Sequence, residues 1–338
     1  MSARGLLKRL AYGTGGLSAL HRRQNRDRLT VVMFHRVLPE GAAAWADADP
    51  TYAMTDRLFA ECLAFFAQHY NVVGETELLE ARDRRHRLPE RPLLITFDDG
   101  WVDNLEVALP LLRRAGLPAA VFAVAGLIDD APEPWWEECL AAAWRRGRLE
   151  GAAGEPLCHG AGLEPAGIDL RRPEGFLALA AALSALPPAA RARLLAPFLE
   201  PGAARQILTP AQLRDLMQAG LAIGSHGFSH AALTMVADPA AELAASRRRL
   251  RQLLDSADGP LLLSYPHGRH RPEIAALARS AGYRAQFTSD PHLNRLEHGL
   301  PLSDSFGRIA IEASAIADAT GRLRRERLAG WLFLRPTR

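Results

Sequence analysis

Short apolar runs alternate with amphipathic segments along most of this chain, and that alternation fixes its class of fold. Residues 29–34, 93–97, 119–124, 221–224, 261–265, 284–288 and 308–311 read as strands. Residues 55–70, 104–114, 210–219, 239–255 and 272–281 read as helices. In the first of these, Leu58, Phe59, Cys62, Leu63 and Phe66 share one face, and Thr55 or Asp56 supplies the cap. Continuous apolar strands are buried on both faces, and strands that alternate with helices form a parallel sheet. About seven or eight such units suggest an α/β barrel or near-barrel. Residues 130–205 break the rhythm. They are rich in Ala, Pro and Arg, begin at Pro134-Trp135-Trp136, and read as a mainly helical insertion of about three helices. The resulting layout is a basic segment over 1–28, a barrel over 29–311 carrying the insertion, and a basic helical tail over 312–338.

In such barrels the chemistry sits where strands give way to the following loops. His35, Asp98-Asp99, His226 and His267 each lie just beyond an expected strand. The most demanding of these strand ends is Leu93-Leu94-Ile95-Thr96-Phe97-Asp98-Asp99-Gly100. Two adjacent acids repel one another and resist burial, so a cation, a donor or solvent must be close. An isolated Asp-Asp-Gly also suits a solvated turn with a helix N-cap. His226 and His230 are four residues apart. On a helical turn both imidazoles would face one way and could share a metal, although such pairs also occur on solvated helices. With Asp99 as a third ligand, the set leaves positions open for water and substrate, as catalytic sites require.

The net charge of +3 is too small to argue for nucleic acid, and no zinc knuckle, recognition helix or aromatic–basic strand supports it. The three cysteines, Cys62, Cys139 and Cys158, are scattered, which fits a reducing compartment better than a disulfide framework. No segment reaches the ~18 apolar residues of a membrane span. The N-terminal segment carries Leu6, Leu7, Leu10, Leu17 and Leu20 roughly on one helical face with cations opposite. It reads as a basic amphipathic helix resting on another element or on an anionic membrane surface, or else as a frayed tail. With no clear cleavage site, a cytoplasmic location, peripheral at the inner membrane face, is the expectation.

Three motifs resemble the polysaccharide deacetylase family, carbohydrate esterase family 4, with its NodB-homology domain. They are Thr96-Phe97-Asp98-Asp99-Gly100, Ser225-His226 through His230, and Ser264-Tyr265-Pro266-His267-Gly268. The resemblance covers roughly residues 29–130 and 206–311. It implies a distorted (β/α) barrel of the NodB type and a hydrolase that removes acetyl from an N-acetylated sugar with a divalent metal, zinc above all. Carried over position by position, Asp98 is the general base, and Asp99, His226 and His230 are the metal ligands. His267, through its backbone N–H, and Tyr265 belong to the substrate and oxyanion side. Trp135 either stacks on a sugar there or anchors the insertion.

Two departures follow. Ser264 stands where the family carries an arginine that steadies the base, so Arg269 and Arg308 become candidates, with Arg308 preferred because it starts the last expected strand. No strand ending in a general-acid histidine precedes His292 or His298. Residues 31–35 have that form at the other end of the chain, as in circularly permuted members, and this makes His35 the expected acid. The expected substrate is an N-acetylated glycan or lipid-linked saccharide of surface polysaccharide biosynthesis or modification. Two rivals stand beside it: a non-catalytic glycan-binding scaffold on the same fold, and a metal hydrolase of a different amide or ester.

Overall fold

A computed structural model describes residues 9–130, 135–198 and 205–338. The chain divides into two units, one of residues 1–40, 51–129 and 208–338, the other of residues 41–50 and 130–207.

In the first unit the strands are β1 (Arg28–Phe34), β2 (Arg36–Leu38), β3 (Ala53–Thr55), β4 (Asn71–Val72), β5 (Pro92–Phe97), β6 (Ala120–Ala123) and β7 (Ala222–Ser225). They continue with β8 (Leu262–Ser264), β9 (Ala285–Phe287), β10 (Asn294–Glu297), β11 (Leu300–Pro301), β12 (Ser305–Phe306) and β13 (Ile309–Ala310). Parallel pairing runs β1–β5–β6–β7–β8–β9. The ring then closes through a strand that changes partner. β12 pairs with β9 (Phe306 beside Phe287), and three residues later β13 pairs with β1 (Ile309 beside Val32). The change falls at Gly307-Arg308. A side chain at Gly307 would meet the His292 ring at 2.2 Å and the Asp290 carbonyl at 2.6 Å, so glycine alone fits there. The alternation thus does give an α/β barrel of parallel strands. The last strand expected over 308–311 is the short β13, preceded by β12 at the end of the expected loop over 289–306, and that loop also contains the β10–β11 hairpin, of which β10 pairs antiparallel with β1. Buried and exposed residues alternate in β10, with Asn294 and Leu296 inward and Arg295 and Glu297 outward, so it is buried on one face only.

β5 is buried throughout, and β1 everywhere past Arg28, because helices cover the outside while Leu29, Val31, Leu94, Phe122, Phe287 and Phe306 share one core. The helix Asp56–His69 starts where the Thr55 side chain accepts the Leu58 N–H at 3.1 Å. It buries Leu58, Phe59, Cys62, Leu63, Phe65 and Phe66, the leucines and phenylalanines each worth about 1.5–3 kcal/mol.

The two ends of the chain meet on this helix. From the helix Gly16–Gln24, His21 stacks on Phe333 of the helix Arg325–Phe333 with ring centres 4.0 Å apart, and Asn25 donates to the Phe333 carbonyl at 2.9 Å. Burial pushes the His21 pKa down to about 3, so it packs as a neutral aromatic. Leu17 is buried beside it, whereas Leu10 is exposed; Leu6 and Leu7 lie outside the described residues. Among the described residues no helix is long and apolar enough to cross a membrane.

The second unit is helical, with helices Trp136–Arg145, Glu155–Gly160, Pro173–Ser184 and Pro188–Leu195. Its own core contains Leu140, Leu149, Leu157, Phe176, Leu179 and Leu183.

Candidate active site

Strand register brings the site together. Phe34 lies beside Phe97, and the Asp98 N–H donates to the Phe34 carbonyl at 3.0 Å, so His35 and Asp98 leave neighbouring strands side by side. On the far side of β6, the His226 N–H donates to the Ala123 carbonyl at 2.8 Å, which sets His226 at the same level. Parallel strands ending in step put their next residues on one rim.

Asp98 is 2% exposed and Arg308 is 1% exposed. The guanidinium takes the carboxylate in a two-pronged grip, with 2.6 Å to Oδ1 and 2.8 Å to Oδ2. Its remaining donors reach the Thr288 carbonyl at 3.0 Å and Ser264 Oγ at 2.7 Å. The partner change at Gly307-Arg308 explains this placement. Where the strand leaves β9 for β1 it pairs with neither, and its side chain turns to the carboxyl end of β5. Arg269, the other candidate, is exposed. Burial pushes the Asp98 pKa up, but Arg308 first and then His226 more than reverse this, and the carboxyl sits below its ordinary range.

Asp99 Oδ1 lies 3.5 Å from His226 Nε2 and 3.4 Å from His230 Nε2. Bonds of about 2.0–2.1 Å from a tetrahedral zinc ion hold neighbouring ligand atoms roughly 3.3–3.4 Å apart, so the spacing fits. The donor chemistry fits as well. His226 Nδ1 lies 3.0 Å from the Ser264 carbonyl, which fixes the proton there and leaves the Nε2 lone pair facing Asp99. Burial first, against the pull of Asp98 and Asp99, lowers the His226 pKa to about 4, and a neutral imidazole is the ligating form. Burial opposes ionisation of Asp99, yet hydrogen bonding to His230 and the nearby histidines, His35 included, hold it well below the carboxylate range.

The two histidines do not sit on a helical turn. Residues 226–230 form a loop in which Gly227 (φ 78°) and His230 (φ 63°) take left-handed backbone. That loop, not helical periodicity, brings the imidazoles to one point. His267 is exposed, with left-handed backbone (φ 56°), and its Nε2 lies 3.0 Å from the His230 carbonyl. His35 is half-buried, its ring centre 4.6 Å from that of Tyr52.

Two expected substrate residues are placed otherwise. Tyr265 is fully buried, and its hydroxyl donates to Gln286 Oε1, so its side chain belongs to the core beside Leu263 and Tyr283. Trp135 is 6% exposed at the head of the helix Trp136–Arg145 in the second unit, a packed position that leaves little ring for a sugar face. The sequence reading also passed over Trp101, whose indole N–H donates to Asp99 Oδ2 at 2.9 Å. It follows the acid pair and glycine directly, and a donor so placed was the available signal.

A family model described as "Polysaccharide deacetylase" matches residues 85–286. The Bacillus subtilis (strain 168) protein YxkH, itself named for polysaccharide deacetylases, is 20% identical over 228 residues. The match takes in 67% of this chain and 54% of YxkH, so the chain spans about half the length of that curated relative. Among solved structures, Streptococcus pyogenes deacetylase PplD, in complex with acetate, has a TM-score of 0.56 at 16% identity, covering 91% of this chain and 99% of PplD. IcaB from Ammonifex degensii has a TM-score of 0.56 at 19% identity, covering 90% of this chain and 97% of IcaB. These structural likenesses speak for a shared fold.

Proposed function

The chain belongs to the polysaccharide deacetylase family, and we propose that it is a metal-dependent hydrolase that removes acetyl from an N-acetylated sugar of a glycan or glycolipid. One observation carries this reading. A buried carboxylate gripped by Arg308 stands beside three side chains able to hold a metal, Asp99, His226 and His230, with Asp99 Oδ1 3.4–3.5 Å from both imidazole nitrogens. A solvated turn needs none of this.

Asp99, His226 and His230 would hold the metal, zinc by the nature of the donors. A divalent ion there supplies Lewis acidity, which polarises an amide carbonyl and makes water easier to deprotonate. Asp98 removes the proton as water adds to the carbonyl carbon. Its Oδ2 lies on the His226 side, 3.8 Å from Nε2, where it accepts from Arg308 at 2.8 Å and more weakly from the Ser264 hydroxyl at 3.4 Å. Arg308 keeps Asp98 ionised and fixes the plane of the carboxylate. The His267 backbone N–H, displayed by a left-handed turn, is assigned to the developing oxyanion. His35 then protonates the departing sugar amine, so the amide C–N bond breaks and acetate leaves.

The direct test is acetate release from N-acetylhexosamine oligosaccharides by the metal-loaded protein. Release is expected to stop on chelation and return with added zinc. A protein that binds zinc and the saccharide yet frees no acetate is a binding protein, and this reading then fails; release from O-acetyl substrates alone moves it to an esterase. For the acid, His35→Ala is expected to retain its metal and slow release by about 10²–10⁴-fold, the usual contribution of a general acid. A variant as fast as the parent removes His35 from that role.

A further inference from the structure

A second buried ion pair lies at this rim, and the reaction above does not use it. Arg36 Nε donates to Asp103 Oδ2 at 2.9 Å, with both side chains almost fully covered. Burying two charges is costly, and such a pair is weak evidence for stability in itself. Its connections give it a purpose. Asp103 Oδ1 accepts the Val37 N–H at 2.8 Å, and Asn104 Nδ2 donates to the His35 carbonyl at 2.9 Å. The stretch after the acid pair is thereby fastened to the end of the strand that carries His35. The Arg36 guanidinium lies over the Trp101 ring, 4.4 Å from its centre. The same indole donates to Asp99 Oδ2, while Oδ1 is the oxygen that faces His226 and His230.

An aspartate carboxylate turns about a broad, nearly two-fold torsion, so left alone it offers its oxygens interchangeably. The indole donor removes that equivalence. Asp99 also stands on left-handed backbone (φ 76°), an unfavourable state for a residue with a side chain, which persists only when its surroundings hold it. We propose that Arg36 is a positioning residue for the metal site: seated by Asp103, it holds Trp101, and Trp101 holds Asp99 with Oδ1 presented to the ion. This rests on the metal reading given above.

The test is zinc affinity of the metal-free full-length protein, read by competition with a chromophoric chelator, with no turnover involved. Trp101→Phe keeps the ring and removes the donor. It is expected to weaken zinc binding by about 10–100-fold, the usual cost of losing a group that orients a ligand. Arg36→Met is expected to fall in the same range, and Arg36→Lys to recover part of the loss. Because Arg36 acts through Trp101, the double variant is expected to stay within about twofold of the weaker single one, whereas independent effects would multiply. Should Arg36→Met not fold, Arg36→Lys in the two backgrounds makes the same comparison.

Asp99→Ala separates the ways to fail. If it abolishes binding while Trp101→Phe stays within about twofold of the parent, the positioning role is wrong and the metal site stands. If it binds zinc like the parent, both ideas fall together. Multiplying effects of the Arg36 and Trp101 variants also overturn the proposal.

Discussion

Asp98→Asn is expected to keep its metal and lose turnover by about 10²–10⁴-fold, the span set by removal of a general base. The change preserves shape and removes only the charge and the proton-accepting oxygen. The three ligand side chains are untouched, so zinc bound at equilibrium should match the parent. Arg308, however, would be left buried without its anion, and breaking a buried pair from one side costs about 3–5 kcal/mol. The comparison therefore needs a temperature at which the variant is shown to be folded, by its near-ultraviolet dichroism for instance. Single-turnover acetate release on metal-loaded protein then isolates the chemical step. A folded, loaded Asp98→Asn that turns over like the parent would remove Asp98 from the mechanism.

Arg308→Met is expected to destabilise the protein by about 3–5 kcal/mol, because it leaves the buried Asp98 carboxylate without its counter-ion. Denaturant unfolding at neutral pH measures this. The response to pH should also weaken. In the parent, Asp98 is held below the ordinary aspartate value of 3.8, so it contributes stability that is present above that pH and lost as pH falls. Without Arg308 the strongest opposition to burial is gone and only the pull of His226 and His35 remains, so the carboxyl rises and the stability lost on acidification shrinks. The acid limb of the rate profile should move to higher pH in step, since the base stays protonated longer. Arg308→Lys, which keeps charge but not the two-pronged grip, should fall between. A loss below about 1 kcal/mol with an unmoved profile would mean that Asp98 does not depend on Arg308.

Much of this site could be read before any coordinates. Strand ends in a parallel barrel lie on one rim, so His35, Asp98, Asp99 and His226 were alignable from apolar runs alone. Arg308 was found by where its strand was expected to begin, although that strand turned out to be short. What escaped reading depended on geometry between distant residues. The i,i+4 spacing of His226 and His230 suggested a helix because periodicity cannot tell a turn of helix from a loop bent by Gly227. Tyr265 looked available because it stands at a strand end, but its hydroxyl finds Gln286 on β9, a partner fixed by register and not by local pattern. Arg36 and Asp103 are 67 residues apart, and nothing in one sequence links them.

The strand that changes partner at Gly307-Arg308 also orders events in time. Asp98 and Arg308 are 210 residues apart, and their contact forms only when the stretch from β12 to β13 docks between β9 and β1. Contacts of such long separation carry the largest loop-closure cost and come late in folding. Until then the Asp98 carboxylate lacks its Arg308 partner and the ring has a gap beside it. On the proposed mechanism, a nascent chain lacking these last residues would carry Asp99, His226 and His230 and still be chemically silent, with hydrolysis starting only once the ring is closed.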